Sequence, residues 1–291
     1  MSIAIIGVAE VPTARDPDRT RWGILREVCM GAVRDAGIDK NDVGAVISVN
    51  PMAQPDLALD MALGRIPEVL GMEGCKDICV VNAGGASTTN ALRMAKYFID
   101  NNQADYVLIP HTTIQSDIPN ETLINFFATA PLDPQWEYPY GVTFNGAMGL
   151  ITNRYMHDSG ATMEDMAAVT VALRGWGALD EMSIFHGKPV TLDDVMNSRM
   201  VSTPLHSKEC NFLADGGGAL LVTRSDIARE MGKPAAYEYG HGTRFTGATP
   251  VLRSDVYFTK AYRESSQDAL KGAGLSIDDM DLRQIYGAYP F

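Results

Sequence analysis

The sequence predicts an α/β fold assembled from two similar halves. Short β-branched apolar runs alternate with segments in which apolar residues recur at helical spacing. In addition, one helix-turn-strand unit occurs twice along the chain. The chain has 291 residues, of which 46% are hydrophobic and 21% charged, so it has enough apolar material for a sizeable core.

The first elements form a strand-helix-strand series. The run from Ile3 to Val8 is continuous and β-branched, which is typical of a strand buried on both faces. Between Trp22 and Ala36 the apolar residues follow a helical period, and Gly37 supplies the C-terminal stop. Val43 to Val49 is predicted to be the next strand.

A glycine turn lies at the centre of the next predicted unit. Ile78 to Val81 is a short apolar run, and Asn82-Ala83-Gly84-Gly85-Ala86 turns the chain into a helix that begins near Ser87, a plausible N-cap. Tyr106 to Ile109 gives the returning strand, so this stretch is predicted to be a βαβ unit.

The alternation is interrupted in the middle of the chain. From about residue 112 to residue 207, prolines, aromatic residues and short helical patches replace the clean pattern, and we interpret this stretch as an inserted loop domain. The strand-like run from Gly218 to Val222 and the helical run from Ser225 to Met231 then return to the core pattern. Residues 1–231 are therefore interpreted as the first half.

An internal repeat predicts the second half. An offset of 237 positions (263 − 26) aligns AVRDAGIDKNDV with ALKGAGLSIDDM, so that Gly37 corresponds to Gly274. The second copy, in residues 232–291, extends only to a strand predicted at Leu282 to Tyr286. Because the first copy continues through a glycine turn and a further helix, we expect the second half to be incomplete.

Charge and residue spacing exclude several classes of function. The chain has 24 Lys and Arg against 36 Asp and Glu, a net charge of −12, so a broad basic face for nucleic acid is not expected. No apolar run approaches the roughly eighteen residues that span a membrane, and the N-terminus lacks a basic leader, so we expect a cytoplasmic protein without a membrane span. Neither the cysteines nor the histidines have ligand spacing, so no metal site is predicted.

Five segments together carry a family resemblance. They are VVNAGGASTTNAL at 80–92, MEDMAAVTVALR at 163–174, VMNSRMVSTPL at 195–205, LADGGGALLVTRSDIAREMGKP at 213–234 and QIYGAYPF at 284–291. The chain resembles the thiolase superfamily, and more closely its sterol-carrier-protein-like or lipid-transfer-type branch. This resemblance implies two βαβαβαββ halves in a layered α/β/α/β/α core, a loop domain over the active site and a homodimer. It also implies that coenzyme A enters as part of an acyl-CoA substrate, with no covalently bound cofactor.

The resemblance also locates the departure from thiolase chemistry. Thiolases carry a nucleophilic cysteine at the N-terminus of the central helix, and the matching residue here is Gly85. Gly84, Gly85, Ala86 and Ser87 would form the turn that faces the acyl oxygen. A glycine cannot form a thioester, which excludes covalent acyl transfer at this position. For Ser87, helix capping is favoured over nucleophilic attack, because no second glycine completes a nucleophile elbow.

The remaining chemistry is cleavage without a covalent intermediate. The sequence resembles a cysteine-less subgroup of thiolase-like aldolases of steroid side-chain breakdown, which use tyrosines and work with a small OB-fold subunit of the DUF35 class. Tyr286 stands at the matching acid–base position, although Gly287 and Tyr289 depart from the motif. His111 and His241 could approach the cleft, or could instead have surface roles. A non-catalytic CoA-ester-binding subunit and a conventional acetyl-CoA acyltransferase remain as alternative functions.

Overall fold

The computed structural model describes residues 2–16, 18–49, 64–116, 118–129, 132–133, 135–247, 256–257 and 259–291. The chain divides into two compact units. The first contains residues 1–117 and 214–241, and the second contains residues 118–213 and 242–291. The predicted division at residue 231 and the predicted loop-domain limits stay predictions.

The first unit is built on a six-stranded mixed sheet. Its strands are β1 (Ile3–Ala14), β2 (Val43–Val49), β3 (Asp77–Val81), β4 (Tyr106–Thr113), β7 (Asp215–Arg224) and β8 (Ala236–Tyr237). They lie in the order β3-β2-β4-β7-β1-β8. β2 runs parallel to both β3 and β4, whereas β7 is antiparallel to β4 and to β1, and β8 is antiparallel to β1. The strands predicted at residues 3–8, 43–49, 78–81, 106–109 and 218–222 are confirmed, most of them with longer bounds.

Helices cover both faces of this sheet. One face packs against α1 (Arg21–Ala36), and the other packs against α3 (Ser87–Asp100) through residues such as Ala91 and Ala95. Two short helices, α2 (Arg65–Leu70) and α8 (Ser225–Glu230), complete the unit. The first unit is therefore an α/β/α arrangement of three layers, as expected for a mixed sheet whose central strands are apolar on both sides.

Neighbouring residues in the sequence determine where α1 begins and where it ends. The hydroxyl of Thr20 accepts a hydrogen bond from the backbone N–H of Gly23, which caps the N-terminus. At the other end Gly37 adopts a left-handed conformation, with φ +74°, and its N–H reaches the carbonyls of Val33 and Arg34. The predicted glycine stop is thus confirmed, because glycine adopts this conformation without steric strain.

The contact between α1 and β1 depends on Gly7. A Cβ atom at this position would lie 2.2 Å from the carbonyl oxygen of Ala32 in α1. We expect Gly7→Ala to lower the free energy of unfolding by about 1 to 3 kcal/mol, since backbone rather than a flexible side chain must move. Gly272→Ala is the matched control, because nothing lies within 4 Å of the added Cβ. There, helix propensity predicts a gain of up to about 1 kcal/mol. Urea unfolding of both variants measures the difference, and equal effects would contradict this account.

The structure confirms most of the internal repeat. The offset of 237 positions maps Gly37 onto Gly274, which is also left-handed with φ +70°. It also maps the 3₁₀ turn Lys40–Asp42 onto a second 3₁₀ turn at Ile277–Asp279. Helix α9 (Thr259–Ala273) is the counterpart of α1. The same local sequence therefore forms the same helix, stop and turn twice.

The strand predicted at Leu282 to Tyr286 is wrong. These residues are not in a strand, and Leu282 and Ile285 are 77% and 76% exposed. The corresponding β2 lies between β3 and β4, whereas no described strand pairs with residues 282–286. Without a neighbouring ladder of hydrogen bonds, apolar alternation alone does not make a strand.

The second unit is mainly helical. It contains α4 (Asn120–Thr129), α5 (Phe144–Ser159), α6 (Met163–Leu179), α7 (Leu192–Met196) and α9, together with a two-stranded ribbon of β5 (Met200–Ser202) and β6 (Leu205–His206). Met148, Ile151 and Leu205 form a small core against which Tyr289 and Phe291 pack. Helices α5 and α6 confirm the short helical patches predicted within residues 112–207.

Candidate functional site

The candidate site is the turn between β3 and α3. Gly84 is left-handed, with φ +58°, which explains a glycine at this position. Gly84, Gly85 and Ala86 are all exposed. The N–H groups of Ala86 and Ser87 already donate to the carbonyls of Ala83 and Gly84, so in the first helical turn the N–H groups of Thr88 and Thr89 are the ones without an intrahelical acceptor. This arrangement suits a ligand oxygen that carries negative charge.

Ser87 holds this turn together. Its hydroxyl accepts a hydrogen bond from the N–H of Ala83 at 2.8 Å and donates one to the carbonyl of Gly84 at 2.6 Å. The side chain is 3% exposed. The predicted N-cap role is wrong, since Ala86 occupies the N-cap position and the Ser87 hydroxyl bonds to the preceding turn instead of the helix. A hydroxyl with both hydrogen bonds made in this way is poorly placed for nucleophilic attack.

His111 lies at the same edge and on the same face of the sheet as this turn. In register, Val49 of β2 stands beside Val81 on one side and beside His111 on the other, so His111 is two strands, about 10 Å, from the start of the turn. Ile109 packs in the cluster that faces α3, and side chains alternate along a strand, so His111 projects from that face too.

The environment of His111 makes a neutral imidazole the resting form. Desolvation by the surrounding protein lowers the pKa of His111, although the residue keeps exposed surface, so the effect is limited by solvent screening. A neutral imidazole can accept a proton at pH 7. Gly217 of β7, which pairs with the next residue Thr112, permits close approach of the strands, since a Cβ there would lie 3.0 Å from the His111 carbonyl oxygen.

An open concavity adjoins the turn. Its volume is about 580 Å³, and its lining includes Asn82, Asn90, Arg93 and Tyr97. The polar groups therefore come from the turn and from the outer face of α3. A concave surface with a few polar groups beside exposed N–H donors has the general form of a small-molecule site.

The structure does not bring His241 to this edge. It follows β8, which is five strand positions from β3, or about 24 Å across the sheet. Its Nδ1 lies 3.3 Å from a carboxylate oxygen of Glu238, and the side chain is partly buried. His241 is therefore a paired histidine beside β8, far from the glycine turn.

Tyr286 belongs to the second compact unit. It is 61% exposed, and its backbone carbonyl accepts a hydrogen bond from the hydroxyl of Tyr262 at 2.7 Å. The nearby Tyr289 is instead partly buried and donates its hydroxyl to Asn145, and burial raises the pKa of Tyr289. The assignment of Tyr286 as the acid–base group stays a prediction from its motif.

Sequence reasoning missed the role of Asp215. This carboxylate is fully buried at the start of β7 and accepts backbone N–H groups of Gln115, Ser116 and Asp16 at 2.7, 2.9 and 3.2 Å. It thereby fixes the segments that leave β1 and β4 at the edge where His111 lies. An acidic residue directly before three glycines and an apolar strand was the available signal.

None of the four cysteines offers a substitute nucleophile. Burial raises the pKa of Cys29 to about 12 and that of Cys210 to about 11, and it also raises the pKa of Cys75 and Cys79. Cys79 packs on the apolar cluster between the sheet and α3. These thiols remain protonated near neutral pH, and the thiolate is the reactive form.

Alkylation can measure how strongly the helix N-terminus activates a thiol placed at position 85. We expect iodoacetamide at pH 7.5 to label Gly85→Cys about tenfold faster than any native cysteine, because a helix N-terminus lowers a thiol pKa. Gly272→Cys, in the last turn of α9, is the control, since the helix dipole opposes a thiolate there. Intact-protein mass spectrometry follows the rates. Equal rates for the two introduced thiols would show that the turn lacks this electrostatic character.

The described residues contain neither a metal-binding cluster nor a membrane-spanning helix. Among the described residues, no group of three or more His, Cys, Asp or Glu side chains could hold a metal ion. Within the same part of the chain, no helix is long and apolar enough to cross a membrane.

The fold matches the thiolase superfamily, and the homologues of the chain are thiolase-like. The predicted fold class and family resemblance are thereby confirmed. No family model matches the chain.

Relatives and one solved structure support this identification. The chain is 27% identical over 287 residues to the acetyl-CoA acetyltransferase of Methanothermobacter thermautotrophicus, a match that covers 99% of this chain and 74% of that protein. It is 27% identical over 280 residues to the 17-hydroxy-3-oxo-4-pregnene-20-carboxyl-CoA lyase of Mycobacterium tuberculosis, covering 94% and 68%. The structure of the Ltp2-ChsH2(DUF35) aldolase matches with a TM-score of 0.79 at 24% identity, over 96% of this chain and 71% of that one.

Proposed function

We propose that this protein cleaves a carbon–carbon bond of a β-hydroxyacyl-CoA by a non-covalent retro-aldol reaction. The single observation that carries the proposal is Gly85, which stands in an otherwise thiolase-like turn and has no side chain to attack an acyl group. Similarity to a CoA-ester lyase supports the same reaction class. Covalent transfer, suggested by similarity to an acetyltransferase, lacks its nucleophile here.

The reaction needs one base, one acid and an oxyanion site. A base removes the proton of the β-hydroxyl, the bond between Cα and Cβ breaks, and its electron pair moves to the thioester carbonyl as an enolate. The acid then protonates Cα. The products are an aldehyde or ketone and a shortened acyl-CoA.

The chain offers a candidate group for each role. The N–H groups of Thr88 and Thr89, which have no intrahelical acceptor at the start of α3, would stabilise the enolate oxygen. His111, a neutral imidazole at the same edge of the sheet, would accept a proton. Tyr286, assigned by its motif alone, would be the second acid–base group.

The wider setting of the enzyme is proposed from the resemblance. The substrate would be an acyl-CoA of lipid or sterol side-chain degradation, and the enzyme would act in the cytoplasm as a homodimer. The Ltp2-ChsH2(DUF35) aldolase carries a DUF35 component. A small OB-fold subunit of this class would be the partner here.

The test is turnover by the full chain, with and without a DUF35-type subunit, on steroid and straight-chain β-hydroxyacyl-CoA esters. We expect a carbonyl product and a shortened acyl-CoA in equal amounts, detected by mass spectrometry. Incubation with acetoacetyl-CoA should leave the intact mass unchanged. Tight binding of the esters without turnover would favour a non-catalytic CoA-ester-binding subunit, and a stable acyl adduct would restore covalent transfer.

A further inference from the structure

Helix α6 presents an apolar face to solvent. Val169, Ala172, Leu173, Trp176 and Leu179 share this face at helical spacing, and we name them the α6 outer face. Trp176 and Leu179 are 74% and 75% exposed, and Leu173 is 55% exposed. Scattered apolar side chains are ordinary on a surface, but a continuous stripe along about three turns of one helix is not.

The opposite side of α6 already supplies its core contacts. Met166, Ala167 and Thr170 are buried, and this side of the helix packs against α7 and the 3₁₀ turn Ser207–Glu209. On that side too, Arg174 stacks on the ring of Phe185 at 3.4 Å. The outer face is therefore not needed to hold α6 in its unit.

Acidic residues mark both ends of the α6 outer face. At 100° per residue, Asp165 and Asp180 fall in line with Trp176, and they are separated by about 22 Å along the helix. Glu164 and Glu181 add exposed charge at the same two ends. The stripe between these ends contains no lysine or arginine, since Arg174 points to the other side.

This charge pattern indicates which kind of partner can bind the α6 outer face. In a two-fold pair of such helices, antiparallel packing would place Asp165 against Asp180 of the other copy, and parallel packing would place each aspartate against itself. Either arrangement brings like charges together at both ends. The same carboxylates repel anionic membranes and nucleic acid, as does the net charge of −12.

We propose that the α6 outer face binds an amphipathic helix of a different protein, whose apolar stripe is flanked by basic side chains at both ends. The apolar residues would supply the contact area and the four carboxylates would set the register of the partner. This inference does not depend on the proposed reaction.

The test compares two labelled 18-residue helical peptides by fluorescence anisotropy on the full chain. Both carry the same leucine stripe, but one has lysines at its two ends and the other has glutamates. We expect the lysine peptide to bind about tenfold more tightly. The Leu173→Gln, Trp176→Gln double variant should lose about tenfold in affinity for it. Leu150→Gln, which changes a 67% exposed leucine on α5, is the matched control and should bind normally.

Asp180→Asn separates charge from structure, because the amide oxygen can still accept the N–H of Met182, as Asp180 does at 2.9 Å. We expect it to weaken lysine-peptide binding and reduce its salt dependence. Equal binding of the two peptides, or no effect of the double variant, would overturn the proposal. A dimer that is seen in sedimentation and lost in the double variant would also overturn the proposal, because the α6 outer face would then bind a second copy of this chain.

Discussion

Tyr286→Phe is expected to lower the kcat/KM for β-hydroxyacyl-CoA cleavage by about a hundredfold or more, while leaving substrate binding nearly unchanged. The reason is chemical: the phenol is the group that the motif assigns to proton transfer, and phenylalanine keeps the ring but removes the proton. Because Tyr286 is 61% exposed, the substitution should cost little stability. Steady-state kinetics with a direct binding measurement separates kcat from KM.

Two other tyrosines provide the controls for this result. Tyr239→Phe changes a 75% exposed phenol in the first unit and should leave kcat intact. Tyr289→Phe removes a partly buried hydroxyl that bonds to Asn145, so it should lower thermal stability before it changes rate. If Tyr286→Phe retains full turnover while Tyr289→Phe loses it at equal stability, the acid–base role belongs to Tyr289 instead.

Elements determined by local chemistry were predictable from the sequence. The left-handed glycines Gly37 and Gly274, with the 3₁₀ turns that follow them, appear twice at the predicted offset. The glycine turn before α3 likewise follows from Gly84, which adopts a conformation that other residues rarely take. In these cases a few neighbouring residues decide the conformation, so pattern reasoning succeeds.

The features that the sequence did not predict depend on contacts with other parts of the chain. Leu282–Tyr286 has the alternation of a strand but no described neighbour to pair with, and the Ser87 hydroxyl bonds to the turn rather than to the helix. Sheet order likewise places His241 far from the glycine turn, which its neighbours in sequence could not show. Asp215 was missed because its three donors come from residues about 100 and 200 positions away.

Asp215→Ala is expected to lower the free energy of unfolding by about 3 to 5 kcal/mol, since three backbone donors would lose their acceptor and each unsatisfied donor costs about 1 to 3 kcal/mol. The segments leaving β1 and β4 would also loosen beside His111, so activity should fall in the remaining folded protein. Asp226→Ala, which removes an exposed carboxylate paired with Arg224, is the control and should change stability by less than about 1 kcal/mol. Urea unfolding at pH 7 measures both.

The pH dependence of the stability difference between wild type and Asp215→Ala tests whether the ionised carboxylate causes it. Burial alone would raise the pKa of Asp215, but the hydrogen bonds from Ser116, Gln115 and Asp16 outweigh it and lower the pKa below its usual range. A lowered folded-state pKa means that the stabilisation is fully present above the unfolded-state pKa of about 3.9 and is lost as the pH falls through the folded value. The gap between wild type and Asp215→Ala should therefore be constant from pH 7 to pH 5 and shrink below pH 4. A gap that stays constant down to pH 2 would mean that side-chain volume, rather than the ionised carboxylate, holds these segments together.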